Sequence, residues 1–109
     1  MRTLPLPDPI SAYFAADAQS AEALAQCFTP QASVKDEGRT HTGRRAIQEW
    51  KAAAAARYGY TVAPFALHQE EEAHVVRAQV TGNFPGSPVD LQYRFRLERG
   101  LIVSLEITA

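Results

Sequence analysis

The chain has 109 residues, 46% of them hydrophobic and 21% charged, with a formal net charge of −1. That length suits one domain, which buries roughly two-thirds of the surface its unfolded chain exposes and leaves no room for a second core. The near-neutral balance supplies no basic field for nucleic acid, and no window approaches the roughly 18 apolar residues of a membrane span.

Met1 to Pro9 holds one arginine and three prolines without an apolar run, so it reads as no secretory signal, with residues 1–7 a short extended lead-in. Asp8-Pro9 predicts a helix start, an Asp cap followed by Pro at the first helical position. Ile10, Tyr13 and Phe14 then repeat at helical spacing and give one apolar face. Ser20 is placed to cap a second short helix, in which Leu24, Cys27 and Phe28 show the same spacing and Pro30 helps the stop. Cys27 is the single cysteine; it is expected to be a buried structural thiol, and the lack of a disulfide partner suits a reducing, cytoplasmic setting.

Val34 to Asp36 and Arg39 to His41 predict two short strands joined through Glu37-Gly38. Thr42 or Gly43 then opens the longest helix, whose inward stripe is Ile47, Trp50, Ala54 and Tyr58, with Gly59 as a left-handed cap. An extended segment over about Tyr60 to Gln69 follows with blurred alternation, Phe65 and Leu67 against Val62 and Ala66, which suits a bulge near Pro64. Glu70-Glu71-Glu72 reads as a charged turn, since three adjacent carboxylates do not converge on a metal.

From Val75 to Phe84 the apolar positions are Val76, Ala78, Val80 and Phe84; from Val89 to Leu97 they are Val89, Leu91, Tyr93, Phe95 and Leu97. After Arg99-Gly100 the stripe is Leu101, Val103, Leu105 and Ile107. Three period-2 strands with short connections predict an antiparallel meander with one face in the core. Helices first and strands second is an α+β arrangement, in which the helices bury their stripes on a curved sheet and leave a cavity where they do not cover it.

The stretch ASVKDEGRTHTGRRAIQEW, Ala32 to Trp50, and the ending GNFPGSPVDLQYRFRLERGLIVSLEI resemble the SnoaL-like and ketosteroid-isomerase-like branch of the nuclear-transport-factor-2-like superfamily. The element order resembles it too, over about nine-tenths of the chain. The resemblance implies a cone-shaped α+β fold, a curved mixed or antiparallel sheet wrapped by about three N-terminal helices around an apolar pocket. Ketosteroid isomerases use an aspartate base with an oxyanion hole of a tyrosine and a protonated aspartic acid. By position, the resemblance puts Asp36 of Val34-Lys35-Asp36 in the place of the base and Tyr13 in that of the tyrosine. The third role is not filled: Leu91 stands where the aspartic acid would, and strand parity turns Asp90 to the opposite face.

A carboxylate beside an apolar cavity suits proton transfer, and a tyrosine there suits donation to a carbonyl oxygen as an enolate forms. His41, at the end of the same hairpin, is placed to orient Asp36 or share its proton. The catalytic candidates are therefore Asp36, Tyr13 and His41, with Phe14, Trp50, Phe65, Phe84, Leu91 and Tyr93 as substrate-binding candidates. The implied chemistry is cofactor-free proton abstraction next to a carbonyl, leading to isomerisation, cyclisation or dehydration. Sequestering a small apolar metabolite without turnover is the alternative. Each candidate also has a plainer reading: Asp36 as a turn residue, Tyr13 and Trp50 as core aromatics, His41 as a structural hydrogen-bonder.

The three histidines show no zinc spacing, and no phosphate loop or nucleophile elbow is present. The outer sheet face, with Arg77, Gln79, Gln92, Arg94 and Arg96, is a mixed surface suited to pairing with a second copy, and a homodimer is the expected assembly. Neither nucleic acid nor a membrane is expected as a partner.

Overall fold

A computed structural model describes residues 4–57 and 59–109. Tyr58, expected on the inward stripe of the long helix, lies outside them, as do the first three residues of the lead-in. Among the described residues the order is α1 (Asp8–Asp17), α2 (Ala21–Ala25), β1 (Phe28–Asp36), β2 (Arg39–Thr42), α3 (Arg44–Arg57), β3 (Tyr60–Glu70), β4 (Ala73–Gly82), β5 (Val89–Glu98) and β6 (Leu101–Thr108). The strands form one curved sheet in the order β2-β1-β6-β5-β4-β3. β3 to β6 make the expected meander, but β1 pairs with β6 in parallel, so the sheet is mixed.

The helix ends differ in detail from the expectations. The cap of α1 is Pro7, not Asp8. Pro9 has no N–H, and the amides of Ile10 and Ser11 both donate to the Pro7 carbonyl, at 3.0 and 2.9 Å. The lead-in is not simply extended either, because the Leu6 amide turns back onto the Leu4 carbonyl at 2.8 Å. Ser20 does cap α2, its hydroxyl accepting from the Ala23 amide at 3.0 Å. That helix stops at Ala25, however. Cys27 lies in a turn and Phe28 begins β1, because the Ile102 amide takes the Cys27 carbonyl and draws the chain into the sheet. Cys27 is half-buried, and burial pushes its thiol pKa up, away from the reactive thiolate.

Gly59 is not in the left-handed region. Its carbonyl instead accepts from the Asn83 amide at 2.9 Å, and a Cβ on Gly82 would come within 2.4 Å of that oxygen. Glycine at 82 is thus what lets β3 and β4 close at this end. The Glu37-Gly38 turn has φ of 53° and 77°, left-handed at both central positions as a tight hairpin requires.

Two bulges re-aim side chains. In β3 the register shifts between Pro64 and Ala66, leaving Phe65 as an extra residue. Val62 and Leu67 then both reach the core, while Phe65 is turned out, 47% exposed, under the Arg77 guanidinium at 5.5 Å. In β6 the register against β5 shifts between Ile102 and Ser104, the partners of Leu97 and Arg96, which changes parity mid-strand, so Ile102, not Leu101 or Val103, is buried together with Leu105.

The core lies between the inner face of the sheet and the helices. Ile10 and Tyr13 of α1, Leu24 of α2 and Ile47 of α3 meet Phe28, Val34, Val76, Phe95, Ile102 and Leu105 of the sheet. Arg77, Gln79, Gln92 and Arg96 are exposed on the outer face, where Glu70 pairs with Arg94 and Glu72 with Arg96.

Candidate functional site

Where the helices no longer cover the sheet, a cavity of about 740 Å³ opens. One wall is the β1–β2 hairpin. Strand parity sets its inner face: Val34 is buried opposite His41, and Asp36 lies opposite Arg39. Asp36, Arg39 and His41 all line the cavity. A second wall is α3, through Trp50, Lys51, Ala54 and Arg57, and Tyr60 follows at the start of β3. The sheet side is apolar, with Val80, Val89, Leu91, Tyr93 and Ile107, and the β4–β5 connection adds Phe84 and Pro85. Phe84 lies beyond the end of β4, because the Gly82 amide donates to the Ser87 hydroxyl at 2.8 Å and the chain turns there.

Asp36 is held by Trp50, whose indole Nε1 donates to its Oδ2 at 3.1 Å. His41 does not hydrogen-bond this carboxylate among the described residues. Its ring lies against Trp50 instead, centroids 5.9 Å apart and tilted by 32°. The indole thus joins both hairpin residues to α3.

Tyr13 does not line the cavity. It is fully buried one layer behind the wall, with its ring 6.0 Å from Nζ of Lys51 and edge to face with Phe14, Phe28, Tyr93 and Phe95. Its hydroxyl has no partner among the described residues. Burial first, then Tyr93, Asp17, Tyr60 and Asp36, push its pKa well up, so the phenol keeps its proton. Tyr93 does reach the cavity. Its pKa is also pushed up, by burial and then by Asp17, Tyr60 and Asp36, so it offers a neutral O–H donor.

Of the expected substrate-binding residues, Trp50, Phe84, Leu91 and Tyr93 line the cavity and Phe14 and Phe65 do not. Phe14 packs on Tyr93 and Phe95 within the core, centroids 5.3 and 5.9 Å apart. The bulge puts Phe65 on the outer face, where Asp90 lies beside it in a shallow concavity.

The sequence reading missed a buried polar cluster. Nζ of Lys51 donates to Oδ1 of Asp17 and to the Tyr60 hydroxyl, both at 2.8 Å, and that hydroxyl donates to the same Asp17 oxygen at 3.2 Å. Lys51 is 6% exposed. Burial raises the Tyr60 pKa, Lys51 pulls it down in part and Asp17 raises it. The signal was available: Lys51 is four residues after Ile47, inside the apolar stripe of α3, where a lysine needs a buried partner. Among the described residues no three His, Cys, Asp or Glu side chains converge as a metal site would require, and no helix is long and apolar enough to cross a membrane.

The SnoaL-like domain family matches residues 10–105, from the helix carrying Tyr13 to the last strand. The chain belongs to the SnoaL-like family. Among solved structures it is similar to a candidate polyketide cyclase of Sinorhizobium meliloti, with 40% identity over 99% of this chain and 100% of that one and a TM-score of 0.92. A protein of Catenulispora acidiphila with a ketosteroid-isomerase-like fold, solved in complex with trimethylamine, shares 23% identity over 94% of this chain and 85% of that one, with a TM-score of 0.82. The epoxide hydrolase/cyclase-like enzyme SalBIII, of pyran ring formation in salinomycin, shares 19% over 91% of this chain and 85% of that one, TM-score 0.76. The last two establish the fold alone. No curated protein matches the chain.

As a SnoaL-like domain, the chain keeps the helix-wrapped curved sheet with its cavity at the uncovered end. Its carboxylate-bearing hairpin faces the helix that carries Trp50 and Lys51.

Proposed function

We propose that this SnoaL-like chain is a cofactor-independent isomerase, cyclase or dehydratase in which Asp36 takes a proton from the carbon beside a substrate carbonyl. One observation carries the reading: a carboxylate in the wall of a largely apolar cavity, with one oxygen fixed by the Trp50 indole at 3.1 Å and the other without a partner among the described residues. A fixed carboxylate with one uncommitted oxygen supports the role of a general base. The C–H electron pair moves to the carbonyl oxygen as Asp36 gains the proton. Tyr93, which lines the cavity and whose phenol stays protonated, is the donor for that oxygen. Return of the proton to another carbon gives isomerisation; attack by the enolate carbon on a second carbonyl of the same molecule, whose oxygen takes the proton back from Asp36, gives ring closure; and expulsion of a β-hydroxyl, which leaves as water with that proton, gives dehydration. The substrate is small and mostly apolar, in keeping with the sheet side of the cavity.

The burial of Tyr13 behind the wall favours a second reading, a binder without turnover, because the hydroxyl placed by resemblance in the oxyanion role has no direct access to the cavity. Screening wild type and Asp36→Asn against cyclic enones, phenols and polyketide-like aromatics separates the two. Turnover of a carbonyl compound that falls by at least about 100-fold in Asp36→Asn, with binding retained, supports the base. Binding that Trp50→Ala abolishes, with turnover absent in wild type, sinks the enzyme reading and leaves the binder.

A further inference from the structure

Lysine is among the residues least often buried without a partner, so the surroundings of Lys51 bear on what the cavity receives. Two of its three N–H groups are committed, to Asp17 and to Tyr60. The third has no oxygen or nitrogen partner among the described residues. Nζ lies 4.6 Å from the Trp50 ring centroid and 5.3 Å from that of Tyr60, and Trp50, Lys51 and Tyr60 all line the cavity while Asp17 does not. The pair is therefore asymmetric: both side chains are buried, but Lys51 belongs to the cavity wall and Asp17 does not.

A purely structural pair would gain little here. Replacing a buried ion pair by apolar residues of similar size is often neutral or stabilising, and α1, α3 and β3 could be joined that way. The aromatic faces that would attract a cationic ligand are already occupied by the protein's own ammonium, and a second cation beside it would be repelled. An oxygen bearing negative charge would instead gain a charge-assisted hydrogen bond from the third N–H.

We propose that the Lys51 ammonium receives an anionic oxygen of the ligand, so that the cavity selects small, largely apolar molecules bearing a carboxylate or forming an enolate. The inference rests on the cavity being the ligand site, as in the reading above, but not on turnover by Asp36. In the enolate case the proton passes from carbon to Asp36, the electron pair settles on the carbonyl oxygen, and Lys51 keeps its own protons while holding the new charge.

Trp50, the one tryptophan of the chain, stands in the wall and reports occupancy through its fluorescence. Wild type is titrated at neutral pH with two pairs: 2-naphthoate against 2-naphthamide, and 2-naphthol against 2-methoxynaphthalene. The expected result is a preference of about tenfold or more for the acidic member of at least one pair. Preference for naphthoate assigns the site to a ligand carboxylate, and preference for naphthol assigns it to the enolate oxygen. The paired variant Lys51→Met with Asp17→Asn removes both charges without stranding either, and should bring the members of each pair within about twofold. Equal affinities in wild type, or a preference that survives in the paired variant, overturn the proposal. If that variant does not fold, the wild-type ratios decide. Asp36-dependent turnover without an acid preference removes Lys51 from the reading and leaves the base; an acid preference without turnover does the reverse. Failure of all four probes to bind overturns both.

Discussion

Two ends of the same sheet face are built on opposite terms. At the packed end Tyr13, Phe14, Phe28, Tyr93 and Phe95 meet with ring centroids between 5.1 and 6.3 Å apart and close the space between sheet and helices. At the cavity end the same strands face Asp36, Trp50, Lys51 and Tyr60 across open space. Strand β5 runs through both: Val89 and Leu91 line the cavity, Tyr93 stands at the join, and Phe95 is fully buried. One period-2 stripe thus supplies a cavity wall and a core. The transition is set by where α1 and α2 stop covering it, and the packed end is what holds the polar residues of the other in place.

The comparison breaks most directly at Phe95. Phe95→Ala removes a fully buried ring from the aromatic cluster and is expected to cost about 3–5 kcal/mol, read as a lower midpoint in denaturant with unchanged slope. Leu91→Ala, two residues along the same stripe but beside existing space, should cost about 1 kcal/mol. Equal losses would mean that the two ends are packed alike. An effect at the lower bound of that at Phe95, and larger than that at Leu91, is expected at the polar cluster. Asp17→Asn leaves the Lys51 ammonium without its carboxylate, and with the amide oxygen still able to accept, the loss should be about 3 kcal/mol. Pairing it with Lys51→Met should recover most of that loss. A single variant as stable as wild type would show that the pair is open to water.

The packed end was far more legible in the sequence than the cavity end, for a physical reason. Val76, Ala78 and Val80, and likewise Tyr93 and Phe95, declare their face by local alternation, because one side of a strand is in the core. The Glu37-Gly38 turn is a local feature of the same kind. The carboxylate, the indole and the hairpin histidine were each readable as residues near a cavity. That Trp50, and not His41, holds Asp36 depends on how α3 sits over the β1–β2 hairpin, which no local period encodes. The parallel pairing of β1 with β6 is hidden for the same reason. Bulges defeat parity arguments outright: one extra residue sends Phe65 to the outer face and exchanges Leu101 for Ile102 in the core. Lys51 escapes a reading by apolar period alone, because its place in the stripe of α3 depends on a carboxylate that α1 brings to it.

The smallest effect, absent at neutral pH, separates the two ends by their tyrosines. Tyr13 at the packed end and Tyr60 at the cavity end both have pKa values raised above the ordinary 10.0 by burial, but at Tyr60 the Lys51 ammonium works against the rise. Below about pH 10 both phenols hold their protons whether the chain is folded or not, so neither changes stability with pH. Above it the unfolded chain sheds protons that the folded chain retains. The folded state then binds more protons, and stability falls as pH climbs toward the folded values. Tyr13→Phe should therefore remove more of the alkaline loss than Tyr60→Phe, measured as the total fall in denaturant midpoint between neutral pH and the most alkaline pH at which the chain stays folded. The two variants also differ at neutral pH, since Tyr60→Phe takes a partner from both Lys51 and Asp17 whereas Tyr13→Phe removes a hydroxyl with no partner among the described residues. Only the fall from neutral pH bears on ionisation, so the midpoints are compared after subtracting that neutral offset. Equal total losses would mean that the ammonium offers Tyr60 no relief and that both ends are equally closed to charge.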